Sequence, residues 1–543
     1  MDHFIGIDVG TGSARAGVFD RQGKLLGSSA CPIETFRPAP DFAQQRSAEI
    51  WQAVARSVRE AVKAAGVSPE SVGGLGFDAT CSLVVAGERD GPVSVSPDGA
   101  ADQDVILWMD HRAIGDAEAI TATGAGVLDH IGGVMSPEME LPKLVWLKRE
   151  LPQSWQAAKK LWDLPDWLVY RATGATMRSL CSPVCKWTYL GHRGLHGEGW
   201  DKGFLASIGL EDLVDDGFDA IGTAFAAAGV RAGGLTEQAA GELGLVPGIA
   251  VSTGLIDAYS GALGTLGVAD SEGNGEIEGR LAVIAGTSTC HISLTREPKF
   301  VPGVWGPYYS VLLDGLWANE GGQSAAGALL DAVIARHSAA AQLIEKAEGR
   351  RLAEALDAHL ETMSEESAFL TRNRHVQPDF HGNRSPLAEP WRKGAIVGLT
   401  LESGIDDLAL DYLATQQALA YGTRHIIEAL SANGVVVDTL VVSGGLARNR
   451  LYLREHADAT GCKVVVPDQT EPVLLGSAMI AAAAAGAYSD ITAAMAAMSG
   501  AAKTIEPRSG EIAAYHDAKY AVFRRMQDDY AAYRDIMSAA ETE

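Results

Sequence analysis

Near the start of the chain, Asp8-Val9-Gly10-Thr11-Gly12-Ser13 has the makings of a phosphate-binding turn: an acidic residue closes an apolar strand, and glycines follow whose N–H groups can approach an anion. The pattern returns in the second half as Gly286-Thr287-Ser288-Thr289, again directly after an apolar strand. A third glycine pair, in Ser443-Gly444-Gly445, lies between a strand and a helix carrying Asn449 and Arg450. Two phosphate turns, one in each half, predict a nucleotide lying between two related domains, each gripping part of its phosphate chain. No G-x-x-x-x-G-K-[ST] loop occurs. The dinucleotide fingerprint is incomplete as well: Arg15 stands where a third glycine should follow Gly10 and Gly12, and Gly74, Gly76 and Ala79 open no strand–helix unit. An NAD-dependent oxidoreductase is therefore weakly supported.

The elements that must hold these turns can be read from hydrophobic periodicity. Phe4 to Val9 reads as a strand, Ala14 to Phe19 as a second, and Leu25 begins a third, so the chain opens as a β-meander. Ile50, Val54, Val58 and Val62, four residues apart, predict a helix from about Ser47 to Ala65, with a strand at Gly74 to Phe77 after it. Leu281 to Ala285 and Cys290 to Leu294 repeat the strand–turn–strand opening, and Thr439 to Val442 is a further strand. Ile249 to Gly254 reads as a strand delivering Asp257 to a cleft edge. The polar, Gly-rich stretch Ser271-Glu272-Gly273-Asn274-Gly275-Glu276 suits a connection, which divides the chain into domains 1–270 and 271–543. Ala478 to Ala485 is too short to span a bilayer and reads as a buried helix; Glu511 to Met537 reads as an amphipathic packing helix.

Composition narrows the function. The 543 residues exceed what one core comfortably serves, and 47% hydrophobic with 21% charged residues is the make-up of a packed enzyme. A net charge of -25 argues against nucleic-acid or anionic-membrane partners, so a bound anion must be held locally by N–H groups, a few cationic side chains and a divalent cation. The six cysteines are sparse, and Met1-Asp2-His3-Phe4 lacks a secretory pattern, which points to a cytoplasmic protein with reduced thiols. Cys181 and Cys185 form the one close pair, with no second pair nearby to complete a zinc site.

Taken in order, these segments resemble the FGGY carbohydrate kinases over nearly the whole chain. The resemblance rests on Gly6 to Arg15, Leu107-Trp108-Met109-Asp110-His111-Arg112, Asp166-Trp167-Leu168 with Thr173-Gly174, Gly254-Leu255-Ile256-Asp257-Ala258, Gly286-Thr287-Ser288, Ser443-Gly444-Gly445, and Glu471-Pro472-Val473 with Gly476-Ser477-Ala478. It implies an α/β fold of two duplicated actin-like, ribonuclease H-like ATPase domains around a central cleft. It further implies ATP and Mg²⁺ as cofactors, a small-molecule sugar as substrate, and a homodimer. By resemblance Asp8 is the metal-associated carboxylate, acting through water, and Thr11, Gly12, Ser13 and Arg15 surround the transferred phosphate. Asp257 resembles the catalytic base. Gly286 and Thr287 resemble phosphate contacts, and Gly444, Gly445 and Asn449 resemble residues near the α-phosphate and adenosine. Phosphoryl transfer suits such a set, because its catalysis is mostly positioning and charge compensation.

Thr80-Cys81-Ser82-Leu83-Val84, Cys185-Lys186-Trp187, Asn319 to Ser324 and Gly382-Asn383-Arg384-Ser385-Pro386 are similar to the ribulokinase-like branch. That implies a ketopentose acceptor, D-ribulose foremost, with Cys81 lining the pocket and Lys186, Asp257 and Glu320 holding the sugar. L-ribulose, xylulose or ribitol kinases are the near alternatives, and a non-catalytic actin-fold ATPase the distant one. Six of the eleven tryptophans fall between Trp108 and Trp187; at most one is assigned to substrate. One departure stands out after Gly394 to Leu399: Asp411 falls where the family has a small residue, and Ala414 where it has an acidic or amide one.

Overall fold

The computed structural model of the protein describes residues 2–271, 273 and 275–541. Glu272 and Asn274 of the connecting stretch, and Met1, Thr542 and Glu543, lie outside the described residues.

The meander forms as its alternation dictates. His3–Val9, Ser13–Asp20 and Leu25–Pro32 pair antiparallel in sequence, and Val72–Ala79 then adds parallel to His3–Val9 on its other side. Ala250–Ser252 follows parallel, and Arg231–Gly234 closes the edge antiparallel. Helix Ser47–Ala65 buries Ile50, Val54, Val58 and Val62 and lies across Ser13–Asp20 and Leu25–Pro32. Its stripe at four-residue spacing is therefore a core-facing stripe.

The second sheet repeats this plan strand for strand. Arg280–Ala285, Thr289–Thr295 and Trp317–Gln323 form an antiparallel series; Thr439–Ser443 and Lys463–Pro467 add parallel, and Ala502–Ile505 closes antiparallel. The short echo between the two turns thus reports a duplicated architecture, the α/β pair of actin-like domains expected above. One addition distinguishes the copy: Trp305–Tyr309 extends the second sheet beyond Trp317–Gln323.

The halves exchange helices where they meet. Pro472–Ala484, the buried helix read from its alanines, lies on the first sheet against His3–Val9 and Val72–Ala79, whereas Asp257–Leu266 leans on Arg280–Ala285 and Thr439–Ser443 of the second. Glycine makes the approach close enough. A Cβ on Gly6 would come 1.9 Å from Leu474 O, and one on Gly476 1.9 Å from Ser260 O. Helix backbone therefore rests almost directly on strand backbone and on the crossing helix.

A smaller antiparallel sheet of Gln44–Gln45, Val105–Ile106, Leu83–Ala86 and Lys160–Asp163 stands on the first half. The terminal helix Glu511–Glu541 packs through Ile512, Tyr520 and Phe523. Among the described residues no helix is long and apolar enough to cross a membrane.

Candidate active site

Three carboxylates converge at one end of the first sheet. Asp8 and Asp78 face each other in register across the parallel pair, and Leu255–Ile256, which pairs with Asp78 and Ala79, leads straight into Asp257 at the start of its helix. The carboxyl ends of parallel strands are where α/β sheets bind ligands. Arg15 sits opposite Asp8 on the next strand and answers part of this charge: its Nε donates to Asp8 Oδ2 at 2.7 Å, and its Nη1 to Glu471 of the other half at 3.0 Å. Burial, and then Asp8, push the Asp78 carboxyl well above its usual range. Burial and then Asp8 likewise push Asp257 up to about 7, although its oxygen accepts from Ala258 N at 2.7 Å and it keeps some solvent contact.

The first turn is closed by Gly10 N–H donating to Ser13 O at 3.0 Å, and the second by Gly286 N–H donating to Ser288 O at 2.9 Å. Gly12 and Thr287, exposed at the two crests, are free to meet a ligand. Thr11 is fixed from the small sheet's side: Gln45 Nε2 donates to its carbonyl at 2.7 Å, and Trp108 Nε1 to its Oγ1 at 3.0 Å. Trp108 is thus the tryptophan that reaches the phosphate turn. Its neighbours in the same motif are structural, because Asp110 and Arg112 form a fully buried pair at 2.7 Å whose carboxylate also accepts from Ala43 N.

On the second half Gly444 has φ +90°, and a Cβ there would lie 2.5 Å from Ala285 O. Only glycine fits. A cavity of about 1080 Å³ opens beside it, lined by Ser443, Gly444, Ala447, Arg448 and Asp357 among others. Exposed Gly445 begins the turn into the next helix. The Asn449 side chain is already engaged: Oδ1 caps helix Arg450–Thr460 by accepting from Tyr452 N, and Nδ2 donates to Tyr412 Oη at 2.7 Å.

The residues that the resemblance assigns to the sugar come together near Asp257. Lys186, at the end of helix Cys181–Lys186, lies 4.0 Å from Glu320 of strand Trp317–Gln323, each only 4% exposed. Tyr259 Oη donates to Glu320 Oε2 at 3.1 Å. Burial tends to lower the Lys186 pKa, but Glu320 and the surrounding acidic groups outweigh it and the ammonium is held firmly charged. Both Lys186 and Glu320 also act electrostatically on Asp257. Cys81 is buried close enough to Lys186 for the two to interact, and burial raises its thiol well above the usual range. The Cys81 thiol is therefore held neutral.

Several residues here escaped the sequence reading. Asp78, Tyr259 and Glu471 stood inside or beside recognised motifs but carried no assigned role, and Trp305 gave no local signal at all. Cys181 and Cys185 occupy one buried helical turn as free thiols. The acidic–histidine cluster His337, Asp407 and Asp411 is already served by a cation, since Arg374 pairs with both aspartates. That pairing also accounts for Asp411 at a position where a small residue was expected, and Ala414 packs against Val376.

Duplicated sheets, a glycine turn on each, and a buried Lys–Glu pair near the Asp257 carboxylate are the frame of a two-domain ATP-dependent sugar kinase. The N-terminal domain of the FGGY family of carbohydrate kinases matches residues 3–264, and its C-terminal domain residues 281–485. The chain belongs to the FGGY family of carbohydrate kinases. It is 45% identical to a human "FGGY carbohydrate kinase domain-containing protein" over 99% of this chain and 98% of that one. It is 43% identical to a D-ribulokinase of Saccharomyces cerevisiae, over 89% of this chain and 72% of the yeast protein. Among solved structures, xylulose kinase from Rhodospirillum rubrum superposes with a TM-score of 0.78 at 21% identity, covering 98% of this chain and 99% of that one, and shares the fold.

Proposed function

We propose that this kinase transfers the γ-phosphoryl group of MgATP to a terminal hydroxyl of a ketopentose, with D-ribulose as substrate and D-ribulose 5-phosphate as product. The observation that carries the reading is the juxtaposition of Asp257 with the buried Lys186–Glu320 pair. Lys supplies donors and Glu acceptors, so a chain of hydroxyls and one ketone oxygen can be read by few groups. The likeness to the yeast D-ribulokinase adds support.

In this mechanism Asp257, ionised above about pH 7, orients the acceptor hydroxyl and takes its proton. The sugar oxygen bonds to the γ-phosphorus as the bond from phosphorus to the β,γ-bridging oxygen breaks, and the proton passes from Asp257 to solvent. Thr11, Gly12 and Ser13 with Arg15, and the turn of Gly286 and Thr287, compensate charge on the phosphates, the Gly10 and Gly286 N–H groups themselves closing the turns. Gly444, Gly445 and the cavity beside them take the nucleoside end, with Asn449 shaping that wall. Among the described residues the buried Oδ1 of Asp78 accepts from no N–H or hydroxyl donor, and this carboxyl, in register with Asp8, fits a divalent cation at this sheet end, which Asp8 would hold through water. Mg²⁺ bound there neutralises the phosphate oxygens.

The test is ADP release from purified protein against D-ribulose, L-ribulose, D-xylulose, ribitol and aldoses, with and without EDTA. We expect the highest kcat/KM on D-ribulose and loss of turnover on chelation. Preference for another acceptor would replace the substrate, and absence of sugar-stimulated turnover across the panel would sink the reading. The mass of the eluting species in the same preparation tests the homodimer.

A further inference from the structure

Beside Lys186, around the Trp305 ring, stands a second charged pair that the reading above leaves unused. Arg384, in Gly382-Asn383-Arg384-Ser385-Pro386, belongs to the second half of the chain; Glu138, just ahead of helix Glu140–Glu150, belongs to the first. They meet at 3.5 Å between Nη2 and Oε1 with side chains 11% and 19% exposed. Arg384 also lies over Trp305 at 5.7 Å, the ring that carries Lys186 at 4.2 Å. Two cations therefore share one indole.

The fold makes room for this arginine. A Cβ on Gly322 would stand 3.0 Å from Arg384 Cδ and 3.2 Å from its Nη1, so the strand carrying Glu320 is notched where the guanidinium passes. The loop beneath is braced by Asn383, whose Nδ2 donates to Asp379 at 3.0 Å and whose Oδ1 accepts from Leu387 N at 3.1 Å. Yet the guanidinium is poorly used. Among the described residues its hydrogen bonds are the long one to Glu138 and one to Cys290 Sγ at 3.9 Å, whereas a guanidinium has five N–H donors. Glu138 is equally under-used: among the described residues its carboxylate accepts only from Arg384, while its backbone carbonyl accepts from Lys143. A nearly buried pair set at 3.5 Å, with unspent donors on one side and unspent lone pairs on the other, is arranged to receive a polyhydroxylated molecule.

We infer that Glu138 and Arg384 are a second pair of sugar-binding residues, one from each half of the chain, that read hydroxyls of the acceptor alongside Lys186 and Glu320. The inference rests on the sugar-kinase reading above. Because its members come from opposite halves, the pair is complete only when both halves stand around the substrate, so it selects the acceptor in the assembled cleft.

The experiment compares wild type, Arg384→Met and Glu138→Gln by ADP release, using the sugar that wild type phosphorylates best and each of its monodeoxy analogues. The wild-type arm alone decides the substrate; the variants decide this pair, whichever sugar the panel selects. Arg384→Met should raise KM for the parent sugar by roughly ten- to a hundredfold, as expected for a hydrogen bond to a charged group, and leave KM for ATP within about twofold. The penalty that wild type shows for one particular deoxy analogue should disappear in the variant, because the hydroxyl it read is already gone. Glu138→Gln should erase the penalty at the same hydroxyl or at one next to it. Unchanged penalties for every analogue in both variants overturn the inference, as does an equal loss for all sugars and for ATP. If Arg384→Met fails to fold, Arg384→Lys, which keeps the charge and loses the fork, takes its place under the same criterion.

Discussion

Ser477 Oγ donates to Asp78 Oδ2 at 2.7 Å although 399 residues separate them in sequence. Both side chains are fully buried, and the bond ties the helix contributed by the second half to the strand beside Asp8. Ser477→Ala would leave the buried Asp78 carboxyl with another acid, Asp8, as its side-chain hydrogen-bond neighbour. We expect a loss of about 1–3 kcal/mol, read as a lower denaturation midpoint with an unchanged slope. A stability equal to wild type would mean that the bond contributes nothing.

Asp257→Asn should reduce kcat by about 10²–10⁴-fold, the range of general-base catalysis, while ATP still binds with wild-type affinity by calorimetry. In wild type kcat/KM should fall about tenfold per pH unit below about 7, where burial and Asp8 place the Asp257 carboxyl. A flat profile down to pH 5 would assign the base to another group.

The same substitution should stabilise the fold in alkaline solution. Asp257 titrates near 4 when unfolded and at about 7 when folded, so its protonated form favours folding below pH 4 and that contribution is lost as pH rises through 7. Asparagine removes this penalty. At pH 8 the variant should exceed wild type by on the order of 1–2 kcal/mol, allowing for solvent screening of a partly exposed group, and the gap should shrink toward pH 5. Thermal melts at the two pH values decide it.

Lys186→Met strands the buried Glu320 carboxylate and should cost about 3–5 kcal/mol. The double variant Lys186→Met/Glu320→Gln should recover part of that stability while remaining as poor an enzyme. Additive losses in denaturant titrations would show that the two side chains are not coupled.

Gly476→Ala places a methyl group 1.9 Å from Ser260 O, at the crossing of the two exchanged helices. We expect destabilisation of about 1–3 kcal/mol or more. Gly445→Ala, with open space around its Cβ, should leave stability within about 0.5 kcal/mol of wild type.

The strands that carry the chemistry were readable because each is a local pattern: Phe4 to Val9 and Leu281 to Ala285 are apolar runs broken by a glycine turn, and both form strands. The small sheet was not readable, since Gln44–Gln45 and Val105–Ile106 are two residues long and have no period to detect. Asn449 was placed in the right neighbourhood, but a helix-capping asparagine and a ligand-facing one look alike in sequence. Glu138 and Arg384 lie 246 residues apart, and nothing local couples them. Trp305 is similar: its partners Lys186 and Arg384 come from separate segments.

The exchanged helices also set an order for synthesis. Helix Ser47–Ala65 covers one face of the first sheet, but the face where Gly6, Gly74 and Gly76 meet Pro472–Ala484 waits until that helix has emerged from the ribosome. The opening half can assemble its strands early but must wait for nearly the whole chain before that face is sealed, so nascent chains stalled short of residue 472 should expose a glycine-lined sheet surface that a chaperone has to shield.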